Sequence, residues 1–368
     1  MDFLTITCHS AYNYGAVLQT YGLYKYLNEC GLNGKIIDYQ PNYFNKPKTN
    51  NIIKKMIRPI IRYPDFKKGK KVFGKFIKNN MNLTPRMKSM DDLKTKLEFA
   101  KVYITGSDQV WNCSKGEVGN DNAFFLDFVD KDKECKKISY AASIAMNELP
   151  NNQKDRYKKL LKDFDNISVR EKTGVNIIKN LGISNVVQVL DPVYLLETEE
   201  WIKLIKHSKL IEKLKKEKYI LVYGFLQQKN VYTYADKLAK RNKCKIYNVN
   251  TLIEDFKLKT DKYFWNVTPE DFLALIYYAN AVVTNSFHGL SFSIIFKKSF
   301  HLFGKNGNSS SRMFDMVDSI GLSNRIVRND ELLSDDFDYD NAEEELKIKI
   351  ENSKEFLKQI FNKSEGEK

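Results

Sequence analysis

The 368-residue sequence has little of what makes covalent staples or metal centres. Its five cysteines, Cys8, Cys30, Cys113, Cys135 and Cys244, are scattered with no C-x-x-C pair, and it has only four histidines. This pattern argues against a zinc site or a disulfide frame and fits a reducing compartment. No metal is expected. No apolar run approaches the ~20 residues that a membrane helix needs. The first residues also lack a charged region followed by an apolar run, so no secretory signal is expected. Internal repeats, low-complexity tracts and a G-x-G-x-x-G fingerprint are missing, so a dinucleotide is not indicated. Acidic residues are scarce in one place. Residues 45–88 hold 14 Lys or Arg against a single acid, Asp65, which accounts for nearly all of the net charge of +14.

An apolar fraction of 42% is ordinary for a soluble globular chain, and the length suggests two domains. Phe3 to Cys8 reads as a strand, His9 to Gly15 as a loop, and a helix follows with Val17, Tyr21, Tyr24 and Leu27 on one face. Further strands are read at Lys35 to Tyr39, Lys101 to Thr105, Ile138 to Ala145, Asn166 to Val169 and Val186 to Leu190. After Leu196 the pattern restarts. Trp201 to Glu217 is a Lys-rich linking helix, and strands follow at Tyr219 to Tyr223, Lys245 to Val249, Ala281 to Val283 and Ser299 to Phe303. Thr268-Pro269-Glu270-Asp271 is a helix start, with Thr as cap and Pro in the first turn. Strands separated by helices mean parallel, doubly wound α/β sheets. The expected division is two Rossmann-like domains, residues 1–196 with the basic insertion 45–88 and residues 197–334, followed by a helical tail, 335–368.

Within the insertion, Asn51 to Tyr63 alternates apolar pairs with Lys54, Lys55, Arg58 and Arg62, an amphipathic basic helix that Pro59 should interrupt. One reading packs its apolar face on its own domain. The other lays it on an anionic membrane surface, a weak and salt-sensitive attachment at the inner face of the membrane. Few aromatics and no reader motif argue against nucleic acid.

The chemistry-bearing residues gather where strands end, and in open α/β sheets ligands bind outside the carboxyl ends of strands. His288 stands where strand Ala281–Val283 hands over to a helix, whose unpaired N–H groups suit a phosphate or carboxylate. Arg170 and Glu171 follow another strand and have a second reading as a surface ion pair. Ser107 and Asp108 read as a polar loop or a helix cap, Asp191-Pro192 as a turn, and Tyr12 to Gly15 as a tight turn exposing helix N–H groups. Lys305 and Arg312 follow the last strand.

Five segments, in order, are Asn13-Tyr14-Gly15-Ala16-Val17-Leu18-Gln19, Gly106-Ser107-Asp108-Gln109-Val110-Trp111-Asn112, Ser168-Val169-Arg170-Glu171, Leu190-Asp191-Pro192 and Ser286-Phe287-His288-Gly289. Together they resemble the polysaccharide pyruvyl transferase family. The resemblance implies a GT-B-like fold, two Rossmann-like domains facing a cleft, and transfer from phosphoenolpyruvate to a sugar hydroxyl of a polysaccharide or its lipid-linked precursor, forming a pyruvate ketal. It implies no metal, no nucleotide and no cofactor beyond phosphoenolpyruvate as co-substrate. It assigns Arg170 and His288 to the donor, with Ser286, Gly289, Lys305 and Arg312 beside them. Asn13, Tyr14, Gly15, Ser107 and Asp108 would face the acceptor. Many members carry an arginine two residues before the histidine; here that position is Ser286, so one anion contact is either missing or supplied by Lys305 or Arg312. Two rival readings are a nucleotide-sugar glycosyltransferase on the same fold and a non-catalytic anion- or membrane-binding protein. The first wants a carboxylate that loop 284–290 lacks, and the second would rest on residues 45–88.

Overall fold

The computed structural model describes residues 1–45, 52–130, 134–224, 229–253, 260–304, 311–329, 331–334 and 338–362. The first sheet is built from β1 (Phe3–Ile6), β2 (Gly34–Ile36), β3 (Val102–Thr105) and β4 (Lys136–Ser139), in the order β2-β1-β3-β4. All its pairs are parallel, with Phe3 opposite both Gly34 and Val102. A second pair, β5 (Ile167–Val169) and β6 (Val186–Gln188), joins the edge of β4 through single parallel bridges, Ile138 to Asn166 and Ala142 to Val169. The second sheet comprises β7 (Tyr219–Tyr223), β8 (Lys245–Asn250), β9 (Lys262–Trp265), β10 (Ala281–Thr284) and β11 (Ser299–Leu302), ordered β11-β10-β7-β8-β9 and again parallel. Central β7 is five apolar residues, all buried, as a strand covered on both faces must be. Strand order reverses between β1 and β3 and between β7 and β10, the two places where such sheets open a crevice.

The helices are α1 (Tyr14–Glu29), α2 (Ile52–Asn80), α3 (Met90–Lys96), α4 (Asn151–Leu161), α5 (Lys172–Asn180), α6 (Thr198–Ile205), α7 (Ile211–Leu214), α8 (Lys229–Asn242), α9 (Pro269–Tyr277), α10 (Phe287–Ile295), α11 (Ser311–Asp318) and α12 (Asp340–Asn362). Helix α1 is buried almost all round because it is wedged between the halves. Tyr14 stacks on Phe272 of α9 with ring centroids 4.4 Å apart and donates its hydroxyl to the Val267 carbonyl, so this predicted acceptor residue lies in the contact between halves. One continuous core runs from Phe3 through Tyr14, Trp201 and Phe272 to Phe300.

Several boundaries differ from the sequence reading. The linking helix expected at Trp201 to Glu217 is two, α6 and α7, separated at Lys206 to Leu210. β9 has no counterpart among the expected strands. Helix α2 runs unbroken through Pro59. From residue 61 onward it is fixed to the second half: Asp65 accepts hydrogen bonds from the Ile253 backbone and Trp265 Nε1 at 2.9 and 2.8 Å, and Lys68 donates to the Trp265 carbonyl. Its Phe73 and Phe76 are buried in the core. The side chains of 52–60, where the amphipathic pattern was read, lie outside the described residues. No helix among the described residues is long and apolar enough to cross a membrane. The tail helix α12 straddles both halves. Lys297 pairs with Glu343 on one side, while on the other Ser353 accepts from the Leu190 backbone and Phe356 meets Tyr140.

Candidate active site

Asp191 caps the short turn Pro192–Tyr194, its Oδ1 accepting from the Val193 backbone at 3.2 Å. The same side chain does more than cap. Its Oδ2 accepts from Arg170 Nη1 at 2.6 Å and from Ser107 Oγ at 3.0 Å, and His288 Nε2 lies 3.6 Å away. Each partner comes from a carboxyl end: Ser107 after β3, Arg170 after β5, Asp191 beyond β6, and His288 in the first turn of α10. Asp191 has no exposed side-chain surface, Arg170 2% and His288 10%. Burial alone would raise the Asp191 carboxyl, but His288 and Arg170 outweigh it and hold Asp191 well below the ordinary carboxylate range. Burial works against the Arg170 cation too, and there the charge of Asp191 wins, so Arg170 is held more firmly protonated than usual.

The imidazole of His288 needs the glycine at position 15. A Cβ there would lie 2.0 Å from His288 Nδ1, so α1 begins against the ring with a residue that leaves it room. Asn13 caps α1 by accepting from the Ala16 backbone, and Ser286 caps α10 by accepting from the Gly289 backbone. Gly289 is close-packed as well: a Cβ would meet Thr284 Oγ1 at 2.4 Å.

Phe287 carries two cations. The Arg170 guanidinium lies 4.5 Å from its ring centroid and that of Arg312 5.9 Å. Arg312 enters from α11, is buried, and has no hydrogen-bond or ion-pair partner among the described residues. Burial, then the charge of Arg170, lower its pKa to about 10. The Nε groups of Arg170 and Arg312 are both buried donors without acceptors, a condition that native interiors tolerate rarely and that an anionic ligand would relieve.

Arg170, Ser107, Gly15, Ser286, Gly289, Arg312 and His288 thus gather in one place. Lys305 lies outside the described residues. Asn13 and Asp108 line a neighbouring cavity of 1110 Å³ at the carboxyl ends of β1 to β3. Asp108, at φ 84°, turns the chain there and accepts from the Gln109 backbone. Arg170-Glu171 is not a surface ion pair: Glu171 is buried and its Oε1 accepts from Ser143 Oγ and the backbones of Ile144 and Ala145, fixing the loop after β4. Two residues of the cluster escape a reading by local pattern. Asp191 reads as a turn because its cap is local and its charged partners are not. Phe287 reads as an apolar helix residue because only the fold brings two guanidiniums onto it.

The solved structures most like this chain include a glycosyltransferase from Rickettsia africae ESF-5 (TM-score 0.51, 12% identity, covering 100% of this chain and 99% of that one). Another is the UDP-GlcNAc 2-epimerase from Methanocaldococcus jannaschii (TM-score 0.52, 12% identity, covering 95% and 92%). At such identity the likeness shows the fold, which is GT-B-like, and nothing of the reaction. No curated protein matches the sequence significantly. The model of one family, polysaccharide pyruvyl transferase, matches residues 13–306. That span holds the whole Asp191-centred cluster except Arg312, and the chain belongs to the polysaccharide pyruvyl transferase family.

Proposed function

We propose that the protein transfers the pyruvyl group of phosphoenolpyruvate to two hydroxyls of one sugar in a cell-surface polysaccharide or its lipid-linked precursor, forming a cyclic ketal, with no metal or further cofactor. The observation that carries this reading is the pair of buried guanidiniums with unpartnered N–H groups on Phe287, beside an imidazole backed by a carboxylate. Phosphoenolpyruvate offers a phosphate and a carboxylate, and two arginines suit two such groups.

The enol phosphate carbon C3 takes a proton from His288, leaving oxocarbenium character at C2. Such general acid catalysis contributes roughly 10²–10⁴-fold. One sugar hydroxyl adds to C2 and releases its proton. Phosphate then departs against Arg170 and Arg312, and the second hydroxyl closes the ring. Of the two hydroxyl protons, one replaces the proton delivered to C3 and the other leaves with phosphate. Asp191, 3.6 Å from Nε2, orients the imidazole. Ser286 carries no charge, and Arg312 supplies the cation from a different helix.

Phosphate release from phosphoenolpyruvate in the presence of acceptor tests the assignment. His288→Ala should lose most of the activity while keeping donor affinity. Arg312→Met should melt no lower than the parent, since it removes a buried unpaired cation, yet lose donor binding. Near-parental turnover in both variants would remove both residues from the reaction.

A further inference from the structure

The 1110 Å³ cavity in the first half takes no part in the donor chemistry, yet it meets the reacting cluster at Asn13 and Asp108. One wall is a single face of α2, Phe66, Lys70, Gly74, Ile77 and Lys78 at helical spacing, continued by Met81 just past its end. The basic insertion is thus part of a pocket. Of its three acids, Glu117 is exposed at the surface and the other two are committed elsewhere. Asp38 accepts from His9 Nε2 at 3.0 Å, from Gln40 at 2.6 Å and from Arg86 Nε at 3.2 Å, while Asp108 turns inward to the Gln109 backbone. Lys35 is paired with Glu98. Lys70 and Lys78 are different: neither has a hydrogen-bond or ion-pair partner among the described residues. Ser10 Oγ, also in the lining, is buried and unpartnered. Gly74 keeps the middle of the wall open, since a Cβ there would touch nothing.

We propose that this cavity holds the acceptor by a phosphoryl or pyrophosphoryl group, which Lys70 and Lys78 bind while the sugar reaches past Asn13 and Asp108 to the donor. The assignment rests on the reading of the reaction given above and names its acceptor class, a glycosyl phosphate or pyrophosphate in place of a neutral glycan. Two ammonium groups on an open helix face suit such an anion and act as point charges, so binding should weaken with salt.

The test is isothermal titration of the full chain at low salt, with phosphoenolpyruvate saturating so that the donor site is filled. The probes are pyrophosphate and glucose 1-phosphate, with neutral methyl glucoside for comparison. Both phosphorylated probes should bind and methyl glucoside should not. Lys70→Gln and Lys78→Gln, both surface changes that preserve the fold, should each weaken binding about tenfold, and Gly74→Trp should abolish it by filling the cavity. UDP-glucose and a short isoprenyl pyrophosphoryl glucose then compare nucleotide-carried and lipid-carried sources, and tighter binding of either one supports the assignment and fixes the source. Pyrophosphate that fails to bind, or binds equally to all three variants, overturns it. Phosphoenolpyruvate binding is followed separately. Its absence beside intact pyrophosphate binding would defeat the reaction proposed above and leave the cavity's assignment standing, and the opposite result would defeat the assignment alone.

Discussion

A single carboxylate oxygen of Asp191 accepts from Arg170 and Ser107, and His288 Nε2 faces it from 3.6 Å. Removing its charge should therefore damage more than a hydrogen bond. Asp191→Asn leaves the Arg170 cation buried without its counter-charge, a change that costs about 3–5 kcal/mol in comparable buried pairs. Urea unfolding at neutral pH measures it, and a loss below 1 kcal/mol would show that the pair is not structural. The pH dependence has a definite sign. Since the folded-state pKa of Asp191 is depressed, its contribution is present in full above the unfolded value of roughly 3.9 and is lost as pH falls toward the folded one. Acid unfolding of the parent should steepen below that value, and Asp191→Asn should lack that part of the slope. His288 is legible in sequence because a strand-to-helix handover is a local event. Asp191 is not, because a carboxylate that caps its own turn gives the same local pattern whether or not an arginine from another strand is waiting.

The first turns of α1 and α10 meet head to head, and Gly15 is the point of contact. A methyl group at position 15 must displace either the His288 ring or α1. Gly15→Ala should cost about 1–3 kcal/mol, as overpacking does, and should lower turnover about a hundredfold through misplacement of the imidazole. Thermal melting and phosphate release read the two effects; a parental rate would mean that the ring has room to spare. At this scale the sequence is a good guide wherever one residue class dominates. Tyr219 to Tyr223 is apolar throughout and is the central strand, and Thr268 with Asp271 forms the capping box its spacing announces. β9 is hidden because Lys262-Tyr263-Phe264-Trp265 forms an edge strand, only partly buried, with neither an apolar run nor a clean alternation. α2 continues through Pro59 because its later turns are held by the core and by Asp65, contacts that no local signal for a helix break can weigh.

The molecule is two parallel sheets that share one core and are strapped together by α1 on one side and α12 on the other. The expectation of paired Rossmann-like sheets follows from counting strands and helices, and the GT-B-like fold bears it out. The role of the tail as a strap is not legible, since the amphipathic pattern of α12 shows that it packs but not on what. Leu357 and Ile360 are 1% and 3% exposed, on the half opposite to the one α12 follows in sequence. Leu357→Ala and Ile360→Ala should each cost about 2–5 kcal/mol, measurable by denaturant unfolding. A negligible loss would mean that the tail does not hold the halves together.

On the reading proposed above, one cluster, ordered by Asp191, moves a pyruvyl group from phosphoenolpyruvate to a sugar. Mass spectrometry of the acceptor, after incubation with phosphoenolpyruvate and a panel of lipid-linked and nucleotide-linked sugars, reads out that transfer. The acceptor should gain one pyruvyl ketal with the parent protein and at least about a hundredfold less with His288→Ala. Ketal formation undiminished by His288→Ala, or a glycosyl group gained in place of the ketal, would contradict it.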